Sequence, residues 1–314
     1  MENKKWFLAS LRRDNYTWRN SIFVAILIFF LLYSVGTIVG FATSTVISSQ
    51  ASDKNVDFVE TVADNFAFLG YWVITFIYLN VVKTDKPILR AIGTESKGNT
   101  FLMAFFGLLL GLLLNAICAI VAILHGDIHL SFVGFPLLKL LLIFVSVIVQ
   151  GAGEELLCRG VLYQRIRKGY SNPWVAILVN PLIFVFVHLL IPGVTIWVIL
   201  SIYFVGVAFG LMVYYLDSLW MAMAAHAAWN FSQSFIFGLY NDNIVRDFTI
   251  FRQNQDLTKT SLFYNGSFDI QFGIEGSVTS VILWVLTAFI VFYIGRKNNM
   301  ESLNMWDNGD QDHV

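Results

Sequence analysis

The chain is 314 residues long, 57% hydrophobic and only 13% charged, with a mean hydropathy of +0.68, outside the range of a soluble domain. A formal net charge of -1 gives no field that would draw nucleic acid, and the two cysteines, Cys118 and Cys158, both fall in apolar stretches, so neither a disulfide framework nor a cysteine-rich zinc site is suggested. What remains is an all-α, polytopic membrane helix bundle whose first partner is the lipid bilayer.

At about 20 residues per crossing, apolar runs at 21–42, 64–82, 101–124, 132–153, 173–190, 195–215, 217–240 and 276–295 predict eight transmembrane helices. The first run is too long for a signal-peptide core and reads as a retained span. Lys4, Lys5, Arg12, Arg13 and Arg19 precede it; Lys83, Lys86, Arg90 and Lys97 follow the second; Arg165, Arg167 and Lys168 follow the fourth; Arg296 and Lys297 follow the last. All four groups fall on one side, which predicts a multi-pass protein with both termini in the cytoplasm. The connection 241–275 is polar and aromatic and reads as an external loop with little regular structure and no chemistry of its own. Its Asn265-Gly266-Ser267 matches a glycosylation sequon, a pattern common by chance. The chain thus divides into 1–130 (three N-terminal spans), 131–240 (a core of four), the loop 241–275, and 276–314 (the last span and a tail).

Charge intrudes on this pattern at Gly153-Glu154-Glu155-Leu156-Leu157-Cys158-Arg159-Gly160. A carboxylate in hydrocarbon costs at least a few kcal/mol and marks a pathway or reaction centre more often than not. Glu155 and Arg159 are four apart, so on a helix they pair, leaving Glu154 turned about 100° away as the unaccounted carboxylate. A structural ion-pair cluster would explain this stretch equally well. His188, His226 and Asn230 also lie in apolar runs; a lone intramembrane His is more often a structural hydrogen-bonding group, but two of them with an i,i+4 Asn and an unpaired Glu favour a site.

Depth provides a second argument. The segment Gly169-Tyr170-Ser171-Asn172-Pro173 reads as a helix stop, cap and restart. Glu154 lies 15 residues before Gly169 and His188 lies 15 after Pro173, so both sit roughly 22 Å from the turn. Counted from Asp217, His226 and Asn230 are roughly 14 and 20 Å deep, reachable from the cytoplasmic side. That count puts His226 roughly 8 Å from the level of Glu154 and His188. A Glu with two His suits zinc with an open position for water, and it suits direct activation of water by Glu without metal; sequence does not separate these. No Gly-x-Ser-x-Gly elbow is present, and neither cysteine has a His at its depth, so water is the expected nucleophile.

Glu154-Glu155-x-x-x-Arg159-Gly160, then Phe184-x-x-x-His188, then His226-x-x-x-Asn230, in this order on successive helices between about 132 and 235, resembles the CPBP family, the CAAX prenyl endopeptidases and bacteriocin-processing or self-immunity proteins formerly called Abi. The resemblance implies an eight-helix fold with a conical cavity open to the cytosol, in a bacterial cell membrane, and an endopeptidase acting on membrane-associated peptides or proteins. By position, Glu154 and His188 match the water-activating pair, His226 and Asn230 the oxyanion or ligand pair, and Glu155 and Arg159 supporting positions. A zinc ion, if used, would take Glu154, His188 and His226. Cys158 stands where an aromatic residue is common. Two rivals follow: a non-proteolytic scaffold or immunity protein that keeps the fold, against which the complete motif set argues, and a proton-coupled transporter, against which the clustering of polar residues in one half argues.

Overall fold

The computed structural model describes residues 11–239, 246–253, 266–269, 271–302 and 304–306. Its long helices are α1 Ile22–Ser48, α2 Val56–Ala67 continuing almost collinearly into α3 Leu69–Val81, α4 Phe101–His125, α5 Leu137–Glu155, α6 Tyr163–Gly169, α7 Pro173–His188, α8 Ile196–Tyr215, α9 Leu219–Phe231 and α10 Val278–Lys297. A π-helical segment, Leu156–Leu162, joins α5 to α6 without a break. Six helices (α1, α2–α3, α4, α5–α6, α8 and α10) are long and apolar enough to cross a membrane, and α7 is apolar but shorter. With α9, of 13 residues, they make an all-α membrane bundle.

Local chemistry sets the helix starts. Ser21, Thr100, Thr195, Ser218 and Ser277 each accept a hydrogen bond from the backbone N–H three residues on, replacing a partner that the first turn lacks. The expected cap and restart before α7 is present: the Asn172 side chain accepts from Trp174 N, and Pro173 takes the first helical position. Gly126, at φ 83°, ends α4 in the left-handed conformation that glycine adopts without strain.

Several boundaries differ from expectation. The second span begins at Val56 rather than 64, because Asp57, Glu60 and Asp64 all lie on an exposed face of an otherwise apolar helix. The seventh ends at Phe231 and passes into a π-turn, Ser232–Ile236. The fourth starts at Leu137, because residues 130–132 form a strand, β1 Leu130–Phe132, paired antiparallel with β2 Phe251–Gln253, Leu130 opposite Gln253. The connection 241–275 therefore holds a strand where little regular structure was expected. Asn265 of the sequon and most of that connection lie outside the described residues.

Helices α1 and α2–α3 pack closely through glycines: a Cβ on Gly40 would sit 2.0 Å from the Ala67 carbonyl oxygen, and one on Gly70 2.0 Å from that of Gly36. In a membrane such backbone approach, rather than hydrophobicity, drives association. Helix α9 lies at the centre, against α4 and α5, with α8 packed on α7 and α10.

The basic groups meet at one end of the bundle. Asp85, fully buried, accepts from Tyr78, Arg165 and Lys168, and Arg165 also donates to the Arg19 carbonyl. Residues 11–13 strap across the α6–α7 turn through Arg13 N to Gly169 O and Ser171 N to Leu11 O, and Trp306 Nε1 donates to Gln164 O. Burial pushes the Asp85 carboxyl up, but Arg165, Lys168 and Tyr78 outweigh it and hold the group below its ordinary 3.8. A depressed carboxylate stabilises the fold fully above that value and ceases to as pH falls below it, through the folded pKa. Asp85→Asn leaves the buried Arg165 and the half-buried Lys168 underpaired, so we expect it to cost about 3 kcal/mol and to weaken the steep acid limb below pH 3.8. Thermal unfolding in detergent against pH tests this; an unchanged profile would count against the network.

Candidate active site

The motif residues converge. Helix α5 supplies Glu154 and Glu155, α7 ends in His188, and α9 carries His226 and Asn230 one turn apart on one face. Glu154, His188, His226 and Asn230 together line a cavity of about 100 Å³. The pairing expected of Glu155 is present: Arg159 Nη1 donates to Glu155 Oε1 at 2.9 Å, both side chains fully buried. The guanidinium lies 5.0 Å from the Phe184 ring centroid and 5.6 Å from that of Phe209, so it is held by two aromatic faces as well as by charge. Gly206 leaves room for it, since a Cβ there would lie 2.8 Å from Arg159 Nη2.

Glu155 has a further partner. Its Oε1 lies 3.0 Å from His226 Nδ1, and because a carboxylate only accepts, that nitrogen carries the hydrogen. His226 Nε2 then faces Glu154 Oε2 at 3.6 Å. Glu155 thus fixes the orientation of His226, as outer carboxylates do for working imidazoles. The Phe184 carbonyl does the same for His188, accepting from Nδ1 at 2.8 Å and leaving Nε2 of a neutral ring as an acceptor.

Contact between Glu154 and His226 corrects the depth argument, which separated them by roughly 8 Å. That count took the turns at 169–173 and at Asp217 as level and every residue as α-helical. Instead, residues 96–99 cover the Asp217 turn, with Asp217 accepting from Lys97 N and Gly98 packed on the Leu216 carbonyl, while the wider π segment Leu156–Leu162 lies between Glu154 and its turn.

Two side chains were missed. Gln150 bridges the site, donating from Nε2 to Glu154 Oε1 at 2.9 Å and accepting from Asn230 Nδ2 at 2.9 Å. Its signal was in the sequence, a lone amide one helical turn before Glu154 in an apolar run. Glu275 also lines the cavity, although its connection was expected to carry no chemistry. Burial pushes its carboxyl up; His188 and His226 oppose the shift and Glu154 adds to it.

A second cavity, about 250 Å³ and mostly apolar, shares Glu154, Phe184 and His188 with the first and extends to Phe29 and Tyr33 of α1 and Tyr71 of α3. Both cavities extend toward the end opposite the basic groups, through Leu190 and Ile191 after α7 and Glu275 before α10. At the basic end, residues 11–13 and 304–306 lie across the bundle, joined to each other through Arg13 and Asn304.

Residues 136–232 match the family model described as type II CAAX prenyl endopeptidase Rce1-like. The chain carries an Rce1-like domain. That domain contains Gln150, Glu154, Glu155, Arg159, His188, His226 and Asn230, and supports a CAAX-type intramembrane protease at the level of family; with the six apolar helices it makes the chain an integral membrane protein. Glu275 lies outside the match. No curated protein and no solved structure matches the chain.

Among the described residues no three His, Cys, Asp or Glu side chains are grouped closely enough to hold a metal; the hydrogen bonds of His188 and His226 engage Nδ1 and leave Nε2 of each ring toward the cavity.

Proposed function

We propose that the protein is an intramembrane endopeptidase in which Glu154 activates water against a peptide bond of a bilayer-borne substrate, with the basic end in the cytoplasm. The observation that carries this is the state of Glu154. Arg159 is taken by Glu155, so Glu154 has no cation of its own except His226, and its other oxygen is steadied by Gln150. A carboxylate so placed in a small cavity can take a proton from water and return it to the leaving amine. His188 Nε2, an acceptor, can orient that water. Asn230 spends one amide hydrogen on Gln150 and keeps a second, which with His226 can stabilise the tetrahedral oxyanion. The apolar cavity beside the pair suits an apolar part of the substrate.

The test is cleavage of a membrane-anchored peptide library by the full chain reconstituted in liposomes. Products are expected, and cleavage should persist in a strong chelator, since no step runs through a metal. Activity lost on chelation and restored by zinc would overturn the water-activation scheme; a wild-type chain inert toward every peptide would point to a membrane scaffold.

A further inference from the structure

Glu275 is placed by a built turn. It lies in a short 3-10 segment, Ile274–Gly276, just before α10. Upstream, Asp269 N donates to Gly273 O at 2.8 Å, and the Asp269 carboxylate accepts from Gln271 N and Phe272 N at 2.8 and 2.9 Å. Gly273 adopts φ 61°, and a Cβ on Gly276 would lie 2.5 Å from the Asp269 Cβ. Downstream, Ser277 Oγ donates to Ile274 O at 2.6 Å and caps α10 through Ser280 N. Ile274 is fully buried. A segment fixed on both sides holds one acidic side chain against the cavity that Glu154, His188, His226 and Asn230 line.

The polar neighbours are paired with one another: Glu155 with Arg159 and His226, Glu154 with Gln150, Gln150 with Asn230. The Glu275 carboxyl alone among them has neither a hydrogen bond nor an ion pair among the described residues. A partly buried carboxyl facing a cavity with no hydrogen-bonded or ion-paired partner, His188 and His226 acting on it only through their charge, is better satisfied when a cation arrives from outside, and a site built that way discriminates against ligands lacking the matching group.

We propose that Glu275 selects the substrate by binding a basic side chain, Arg or Lys, next to the scissile bond. This rests on the endopeptidase reading for its biological meaning, but binding can be measured without cleavage. The probes are two capped hydrophobic hexapeptides differing only in a central arginine or its neutral isostere citrulline, and the readout is thermal stabilisation of the full chain in detergent. The arginine peptide is expected to reach half-maximal stabilisation at a concentration about tenfold to a hundredfold lower, as for a charge-assisted contact. Glu275→Gln should abolish the preference, and Glu275→Asp, a control for folding, should keep part of it. In the liposome assay, wild-type cleavage sites should be enriched in flanking Arg or Lys, and Glu275→Gln should lose that enrichment. Equal response to the two peptides, or a preference that survives in Glu275→Gln, would overturn the assignment. An arginine preference without any cleavage would uphold it while removing the protease reading.

Discussion

Glu154→Gln is expected to abolish peptide cleavage while leaving the chain folded. The amide keeps the shape of the side chain and an oxygen to accept from Gln150 Nε2, which now holds Glu154 Oε1 at 2.9 Å. What it cannot do is take a proton from water. Loss of a general base lowers kcat by about 10²–10⁴-fold, so activity should fall to background with KM little changed, because ground-state contacts survive. Stability should move by well under the ~1–3 kcal/mol typical of a broken buried contact, since neither Arg159 nor His226 Nδ1 is bonded to this carboxylate; both go to Glu155. Membrane abundance and thermal unfolding, read beside cleavage, decide the matter. A Glu154→Gln chain that still cuts would remove Glu154 from the chemistry, and one that fails to accumulate would recast it as structural.

The contrast between Glu154 and Glu155 shows what the sequence carried. Glu155 stands four residues before Arg159 and Glu154 five, which was enough to assign one carboxylate to a pair and leave the other facing the cavity, because helical periodicity is local and the apolar run made helix the only plausible state. The same holds for His226 with Asn230 and for the cap at Asn172. Boundaries were less legible where a helix has one charged face: Asp57, Glu60 and Asp64 mask a start at Val56. Quantities that depend on how helices are staggered were lost. The contact between His226 and Glu154 goes with a turn at Asp217 that residues 96–99 overlie and with a π segment, neither of which hydropathy reports. Gln150 could have been read by the rule that paired Glu155 with Arg159. Glu275 could not, since its place in the cavity depends on the Asp269 and Ser277 turn and on α10 packing against α8.

Arg159→Ala is expected to act on folding as strongly as on activity, which sets it apart from Glu154→Gln. The guanidinium is fully buried, and Glu155, also fully buried, would keep only His226 as a partner. Breaking a buried pair by removing one member costs about 3–5 kcal/mol because the other charge is stranded, and the space beside Phe184, Phe209 and Gly206 would be emptied as well. Against a total stability of about 5–15 kcal/mol, that is enough to lower membrane abundance severalfold and to depress the unfolding temperature. Replacing both members with neutral groups, Glu155→Gln with Arg159→Met, removes the stranded charge and should recover most of the abundance. It should not recover cleavage, because His226 would then lack the carboxylate that orients its Nδ1 hydrogen. Normal abundance and melting of Arg159→Ala would show that the pair does not hold the site together. A fully active double variant would show that His226 needs no such orientation.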